Sequence, residues 1–153
     1  MLLKALLEVD EDYQLVIIDF GGYWLVKYYD ELLPLFMSHG RRIKELYVAL
    51  QSGSERILRA MNRPEAGKEV LSRLKELRQK IPHLTLRTTV IVGFPGETED
   101  DFRQTVEAVR EVDFSAVEIC KYSDRPGTAA SAMQGKVSQE VIDRRVKELS
   151  RYC

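Results

Sequence analysis

Apolar positions along the chain switch between a strand-like and a helix-like period, and the switch repeats about four times. Gln14 to Phe20 is a compact apolar run closed by Gly21-Gly22, which predicts a strand. Trp24, Leu25, Tyr28, Tyr29, Leu32 and Phe36 then recur at helical spacing, predicting one helix with a kink at Pro34 and a stop at Gly40. A second strand is expected over Glu45 to Gln51. It leads into Ser52-Gly53-Ser54-Glu55, where Ser52 and Glu55 have capping-box spacing. Ile57, Leu58 and Met61 carry that short helix to a stop at Asn62-Arg63-Pro64, and Val70, Leu71, Leu74, Leu77 and Ile81 mark the next helix. The third strand runs from Leu84 to Val92 and breaks at Gly93-Phe94-Pro95-Gly96. Thr98 and Asp101 repeat the capping-box spacing ahead of Phe102, Val106 and Val109. The fourth strand covers Phe114 to Tyr122, and Ile142, Val146 and Leu149 lie on a last helix. Such alternation predicts parallel βα units: an α/β partial (β/α) barrel of about four parallel strands with helices on the outer face.

The strands are two-sided. Leu46, Val48 and Leu50 share one face and Tyr47, Ala49 and Gln51 the other, because side chains alternate across a strand. Leu86, Val90 and Val92 oppose Arg87, Thr89 and Ile91 in the same way, and Val117 and Ile119 oppose Glu118, Cys120 and Tyr122. In a βα barrel the greasy face packs on the helices, which leaves the mixed face to the lumen. A polar lumen points to a ligand, although Arg87 and Glu118 on neighbouring strands could simply pair with each other. Loops at the carboxyl ends of the strands are where such folds build sites, and here they are Asp19 to Gly22, Gln51 to Ser54, Gly93 to Thr98 and Tyr122 to Thr128. Gly53, Gly93 and Gly96 would let a ligand approach the main chain. Free N–H groups beyond Ser52 and Thr98 could receive a carboxylate or phosphate oxygen. Tight capped turns with no ligand explain each loop taken alone equally well.

Composition narrows the class. A chain of 153 residues with 44% hydrophobic content supports one domain, residues 1–153. The 23 Lys plus Arg nearly cancel the 24 Asp plus Glu, so charge neither advertises nor excludes a nucleic-acid partner. Two cysteines, Cys120 and Cys153, are far apart in sequence; they fit a reducing compartment and offer neither a disulfide framework nor a metal site. Apolar runs are too short to span a bilayer and the start Met1-Leu2-Leu3-Lys4 has no signal-peptide layout, so a cytoplasmic protein without a membrane partner is expected.

Three segments taken together say more: Ala49 to Arg63 (ALQSGSERILRAMNR), Val90 to Thr98 (VIVGFPGET) and Tyr122 to Thr128 (YSDRPGT). In this order and spacing they resemble the radical S-adenosylmethionine methylthiotransferases, and the resemblance spans nearly the whole chain, weakest before Leu46. It implies the C-terminal portion of a six-stranded radical SAM barrel. In the full barrel a three-cysteine loop near the first strand holds a 4Fe-4S cluster that cleaves S-adenosylmethionine to a 5′-deoxyadenosyl radical. That radical abstracts hydrogen from an unactivated carbon before sulfur insertion and methylation. Gln-Ser-Gly-Ser resembles the branch that modifies tRNA more than the branch that modifies a ribosomal protein. The resemblance places Gln51 and Ser52 near the ribose and methionine portions of the cofactor, Thr89 and Ile91 at ribose and adenine with Gly93 giving backbone access, and Tyr122 and Ser123 beside the adenine. The alternation of faces independently selects Gln51, Thr89, Ile91 and Tyr122.

The sequence also departs from the family. No CxxxCxxC occurs in it, and Thr89 stands where relatives often place an acidic ribose ligand. The simplest account is a fragment that begins after the second barrel strand, inactive alone, with the N-terminal half of the barrel as its missing partner. A naturally short half-barrel interaction or dimerisation module is the alternative. A phosphate-binding, aldolase-like βα protein would need a lumen acid and base, for which only Asp19 and Glu118 qualify. Gln14 to Phe20 is expected as an unpaired sheet edge, so the chain is expected to form a homodimer.

Overall fold

The structure, a computed structural model, describes residues 2–9, 12–63 and 67–153. The elements alternate as expected: α1 (Leu2–Leu7), β1 (Leu15–Phe20), α2 (Gly22–Lys27), α3 (Tyr29–Ser38), β2 (Ile43–Val48), α4 (Glu55–Ala60), α5 (Lys68–Lys80), β3 (Thr85–Val92), α6 (Glu99–Val112), β4 (Ala116–Lys121) and α7 (Gln139–Leu149). The four strands form one sheet in the order β1-β2-β3-β4, with every neighbouring pair parallel. Strand order equals chain order because each crossover helix returns the chain beside the strand it has just left.

Two apolar clusters fill the space between sheet and helices. One joins Leu25, Tyr29, Leu32 and Phe36 of the first helical segment to Ile43, Leu46, Val48, Leu74 and Leu77. The other joins Leu50, Val90 and Val92 to Phe102, Val106, Val109, Ile142 and Leu149. Leu46, Val48, Leu50, Leu86, Val90 and Val92 are all fully buried on this side, so the greasy faces pack on the helices. The opposite face is open: Val16 and Ile18 of β1 are 51% and 66% exposed, and Tyr47, Arg87, Glu118 and Cys120 are at least partly exposed.

Three local expectations are corrected. The helix expected from Trp24 to Phe36 is two helices, broken at Tyr28, whose φ of −112° and ψ of 18° leave the helical region. Pro34 sits inside α3 rather than at the break, because the break comes earlier and leaves Pro34 in the second turn. The cap of α4 is Ser54, not Ser52: the Ser54 hydroxyl accepts the Ile57 N–H at 3.5 Å. Ser52 is turned into the protein instead, as described below. The expected capping box of Thr98 and Asp101 is present at α6. The stop after Met61 comes at Asn62, which has a φ of 59°, while Pro64 lies outside the described residues.

Candidate functional site

The carboxyl ends of β2, β3 and β4 meet at one rim. Past Val48 the second strand leaves its ladder and rejoins it at Gln51, which bridges Val90. The Gln51 N–H donates to Thr89 O and the Ile91 N–H donates to Gln51 O, each at 2.8 Å. Gln51 holds a φ of 69°, a left-handed conformation costly for a non-glycine residue. The cost is tolerated because both of its backbone groups are pinned to β3. On the far side, the Tyr122 N–H extends the β3–β4 ladder by donating to Val92 O at 2.8 Å.

On the open face, three side chains from three strands converge. Thr89 and Glu118 are register partners. The Tyr47 hydroxyl lies against Thr89 Oγ1 and donates to Glu118 Oε2 at 2.9 Å, while Thr89 Oγ1 is 3.4 Å from the same oxygen. Burial, followed by the hydrogen bond and the charge of Glu118, pushes the Tyr47 hydroxyl up to about 12, so it stays a donor. The pairing expected between Arg87 and Glu118 does not form: Arg87 donates to Glu45 Oε1 at 3.0 Å, across to β2. That leaves Glu118 to the hydroxyls of Tyr47 and Thr89, a carboxylate at the rim beside the threonine.

Beyond β3, Gly93 has a φ of 84° and turns the chain sharply. Its N–H is received by Glu97 Oε2 at 2.8 Å, and Glu97 is in turn held by Arg145 of α7 at 2.7 Å. Both side chains of that ion pair are buried, at 4% and 1% exposure. Burial drives the Glu97 carboxyl upward despite the opposing pull of Gly93 and Arg145. Next to this turn, Phe94 meets the Tyr122 ring edge-on at 5.5 Å, and the buried Tyr122 hydroxyl acts on the Asp124 carboxylate, which it helps Lys136 to hold below the usual range.

The structure therefore brings Gln51, Thr89, Ile91, Gly93 and Tyr122 to one rim. Ser123 follows directly but is exposed. Ser52 is fully buried and its hydroxyl faces α6, 3.2 Å from Thr105 Oγ1, while accepting the Ser54 N–H at 3.1 Å. Its side chain shapes the loop and is not offered to a ligand. Sequence reasoning put Tyr47 and Glu118 on the lumen face but did not name them as cofactor ligands, and it paired Glu118 with Arg87 where the register sets it beside Thr89. It also passed over the buried carboxylate Glu97, and it read Asp101 only as the capping partner of Thr98, without the distant Ser54 and Arg56 that also reach it. Asp101 is 3% exposed and accepts from Ser54 Oγ at 2.6 Å, Thr98 N–H at 2.8 Å and Arg56 Nε at 3.2 Å. Burial alone would raise this carboxyl, but hydrogen bonds from Arg56, Ser54 and Thr98 outweigh it and hold it well below the usual carboxylate range.

Metal-holding chemistry is a separate matter. Among the described residues, no group of three or more His, Cys, Asp or Glu is gathered as a metal would require. Cys120 lies half-buried in β4, its thiol pushed up by burial and by Glu118, and Cys153 is exposed. No helix among the described residues is long and apolar enough to cross a membrane.

A parallel βα half-barrel with an open polar face and glycine-bearing loops at its carboxyl rim is an α/β architecture of the kind that builds its sites at that rim. Comparison gives it a family: the profile of the Radical SAM superfamily matches residues 2–109, and the chain belongs to that superfamily. Its curated relatives include methylthiotransferases of two kinds. It is 37% identical over 136 residues to the ribosomal protein uS12 methylthiotransferase of Thermodesulfovibrio yellowstonii, covering 84% of this chain and 32% of that protein. It is 43% identical over 105 residues to the tRNA-2-methylthio-N(6)-dimethylallyladenosine synthase of Corynebacterium glutamicum, covering 69% of this chain and 20% of that one. The chain thus spans about a third or less of the length of these relatives. Among solved structures, the coproporphyrinogen III oxidase of Escherichia coli, described as a radical SAM enzyme, superposes with a TM-score of 0.65. That match covers 99% of this chain and 36% of the oxidase at 17% identity, and so bears on the fold alone.

Proposed function

We propose that these residues form the cofactor-side half of a radical SAM methylthiotransferase barrel that attaches a methylthio group to tRNA, and that they do not complete the reaction by themselves. The observation that carries the reading is the open face of β2, β3 and β4, where Glu118 meets Tyr47 and Thr89, with the Gly93 turn and Tyr122 at its carboxyl end. These groups fit S-adenosylmethionine. The Glu118 carboxylate can accept from ribose hydroxyls, and the half-buried Ile91 and Tyr122 offer apolar and aromatic contact to a purine. The donor set does not fit a 4Fe-4S cluster, since Cys120 and Cys153 are the chain's only thiols and three ligands are needed. Cluster thiolates would have to come from the N-terminal half of the barrel. When both groups are bound, they supply a 5′-deoxyadenosyl radical for hydrogen abstraction. The share of this chain is to bind, orient and shield the nucleoside end. The tRNA assignment rests on the Gln51-Ser52-Gly53-Ser54 segment, and a ribosomal protein is the other substrate within the same reading; a cytoplasmic location goes with either.

Titrating S-adenosylmethionine into the chain tests this. Binding is expected to be weak, in the millimolar range that corresponds to about 4 kcal/mol, because the cluster that would chelate the methionine end is not supplied by these residues. Gln51→Ala is expected to weaken it further. A micromolar dissociation constant that survives Gln51→Ala would reject the site. After anaerobic reconstitution with iron and sulfide the chain is expected to stay colourless. A brown product with about four irons per monomer would overturn the division of labour.

A second reading, a half-barrel that works as an association module, is favoured by one observation. The open face of β1 exposes Val16 and Ile18 at the end of the sheet. The two readings part on whether S-adenosylmethionine binds at all.

A further inference from the structure

The loops after β2 and β3 are not independent, and one buried carboxylate accounts for that. Asp101, in the first turn of α6, takes donors from three places. Ser54 at the start of α4 donates from Oγ at 2.6 Å. Thr98 donates from its N–H at 2.8 Å and from Oγ1 at 2.5 Å. Arg56 donates from Nε at 3.2 Å and also from Nη2. The same Nη2 reaches Gly96 O at 2.6 Å, so the guanidinium spans from the buried carboxylate to the glycine turn. One helical turn along, Thr105 repeats the pattern. Its hydroxyl donates to Asp101 O at 3.3 Å and accepts the Gly53 N–H at 2.9 Å. Gly53 fits there because it has no side chain: a Cβ would run into the Gln104 carbonyl and the Thr105 backbone. The first two turns of α6 therefore hold the Gln51–Ser54 loop on one side and the Gly93–Thr98 loop on the other. None of these donors is an N–H of α4 beyond its cap, so the loop is set by side chains and not by a helix terminus.

We infer that Asp101 is a positioning residue of the rim, fixing the Gln51–Ser54 loop against the Gly93–Thr98 loop so that both address one ligand; this rests on the reading of the rim as the S-adenosylmethionine site. Asp101 is buried and the Arg56 guanidinium is engaged by Asp101 and Gly96 O, so both act through the loops. A carboxylate that accepts from both loops makes their placement a single degree of freedom, and removing it lets each loop settle separately. The geometric constraint is tight because five donors converge on two oxygens, whereas an asparagine would present an NH2 to donors.

The test uses the chain with Asp101→Asn, Arg56→Gln, Arg56→Lys and Val112→Ala, the last trimming the core away from both loops. Backbone amide resonances are followed during titration with S-adenosylmethionine, and amide hydrogen exchange is measured without ligand. In the unaltered chain, the Gly53 and Gly96 amides are expected to move along one shared binding curve. In Asp101→Asn and Arg56→Gln the affinity is expected to fall about tenfold, within the range typical of coupling between sites, and the Gly53 amide to lose protection. Arg56→Lys should restore part of the affinity, and Val112→Ala should lower the unfolding midpoint while leaving affinity intact. Folded Asp101→Asn and Arg56→Gln variants with unchanged affinity would overturn the inference, as would an equal loss in Val112→Ala. If the unaltered chain shows no response to the cofactor, the rim reading fails. Hydrogen exchange then decides the latch alone: it stands if Gly53 loses protection in Arg56→Gln, and falls if only α6 amides change. Should Asp101→Asn fail to fold, Arg56→Gln carries the comparison, since its side chain is 57% exposed.

Discussion

Glycines 53 and 93 answer two different constraints. Gly93 has a φ of 84°, and a Cβ there would also press on the Ile142 side chain of α7. Gly93→Ala is expected to cost about 1–3 kcal/mol for the backbone alone, more with the displaced isoleucine, read as a lower denaturant midpoint. Gly53 has no such backbone demand, and its alanine variant fails by crowding α6, at about 1–3 kcal/mol. Two titrating groups give pH predictions of opposite sign. The folded Asp101 carboxyl lies below its unfolded range. Its contribution is therefore complete above the unfolded value and fades as the pH falls towards the folded one. Acid unfolding midpoints should move upward in pH relative to those of Asp101→Asn only if this is wrong; the expected result is a steeper acid loss in the unaltered chain. Tyr47, raised to about 12, contributes below the unfolded tyrosine value and loses that contribution as the pH climbs through the folded one. Tyr47→Phe should remove a late step from the alkaline tyrosinate absorbance titration.

At the scale of elements, α7 is held to the glycine turn by a buried ion pair, Arg145 with Glu97, whose Oε1 and Nε atoms have no partner. Arg145→Met should cost about 3–5 kcal/mol by stranding a buried carboxylate, while the double variant with Glu97→Gln should recover part of the loss. A double-mutant cycle by urea denaturation measures it; a double variant whose cost equals the sum of the two single costs would show that the pair is not coupled. Sequence periodicity made the elements themselves legible. Each strand was delimited within a residue or two at its start, and the Thr98–Asp101 box was found because a cap and its partner lie three residues apart. What stayed hidden depends on contacts between segments. Ser52-Gly53-Ser54 offers two serines as caps, and only the presence of Thr105, which engages the first, leaves the second to α4. The helix break at Tyr28 was invisible because the apolar stripe runs through it without losing step. Of the rim, the positions of Gln51, Thr89, Ile91, Gly93 and Tyr122 were legible from motif and face, whereas the Glu97–Arg145 pair and the reach of Ser54 and Arg56 to Asp101 were not, since the partners lie 45 to 48 positions apart.

At the scale of the molecule, among the described residues the sheet ends at β1, which presents an edge with no strand partner and two exposed apolar side chains. Exposed edges template pairing with another chain. We expect light scattering to report a mass above 17.6 kDa that rises with concentration, and Ile18→Lys to return the chain to monomer. A clean monomer at high concentration would retire the homodimer. The strand order carries a further consequence, in time rather than space. Each strand pairs with the one made just before it, so every parallel contact closes a single crossover and the entropy cost of closure stays small. Parallel sheets are slow to form when partners are distant in the chain; here β1 and β2 can pair while β3 is still being synthesised. The growing sheet always adds at its newest edge, and Glu118 and Tyr122 arrive on the last strand. A nascent chain would thus pair β1 with β2 before Glu118 and Tyr122 are made, and it would gain those two groups only as β4 joins the sheet.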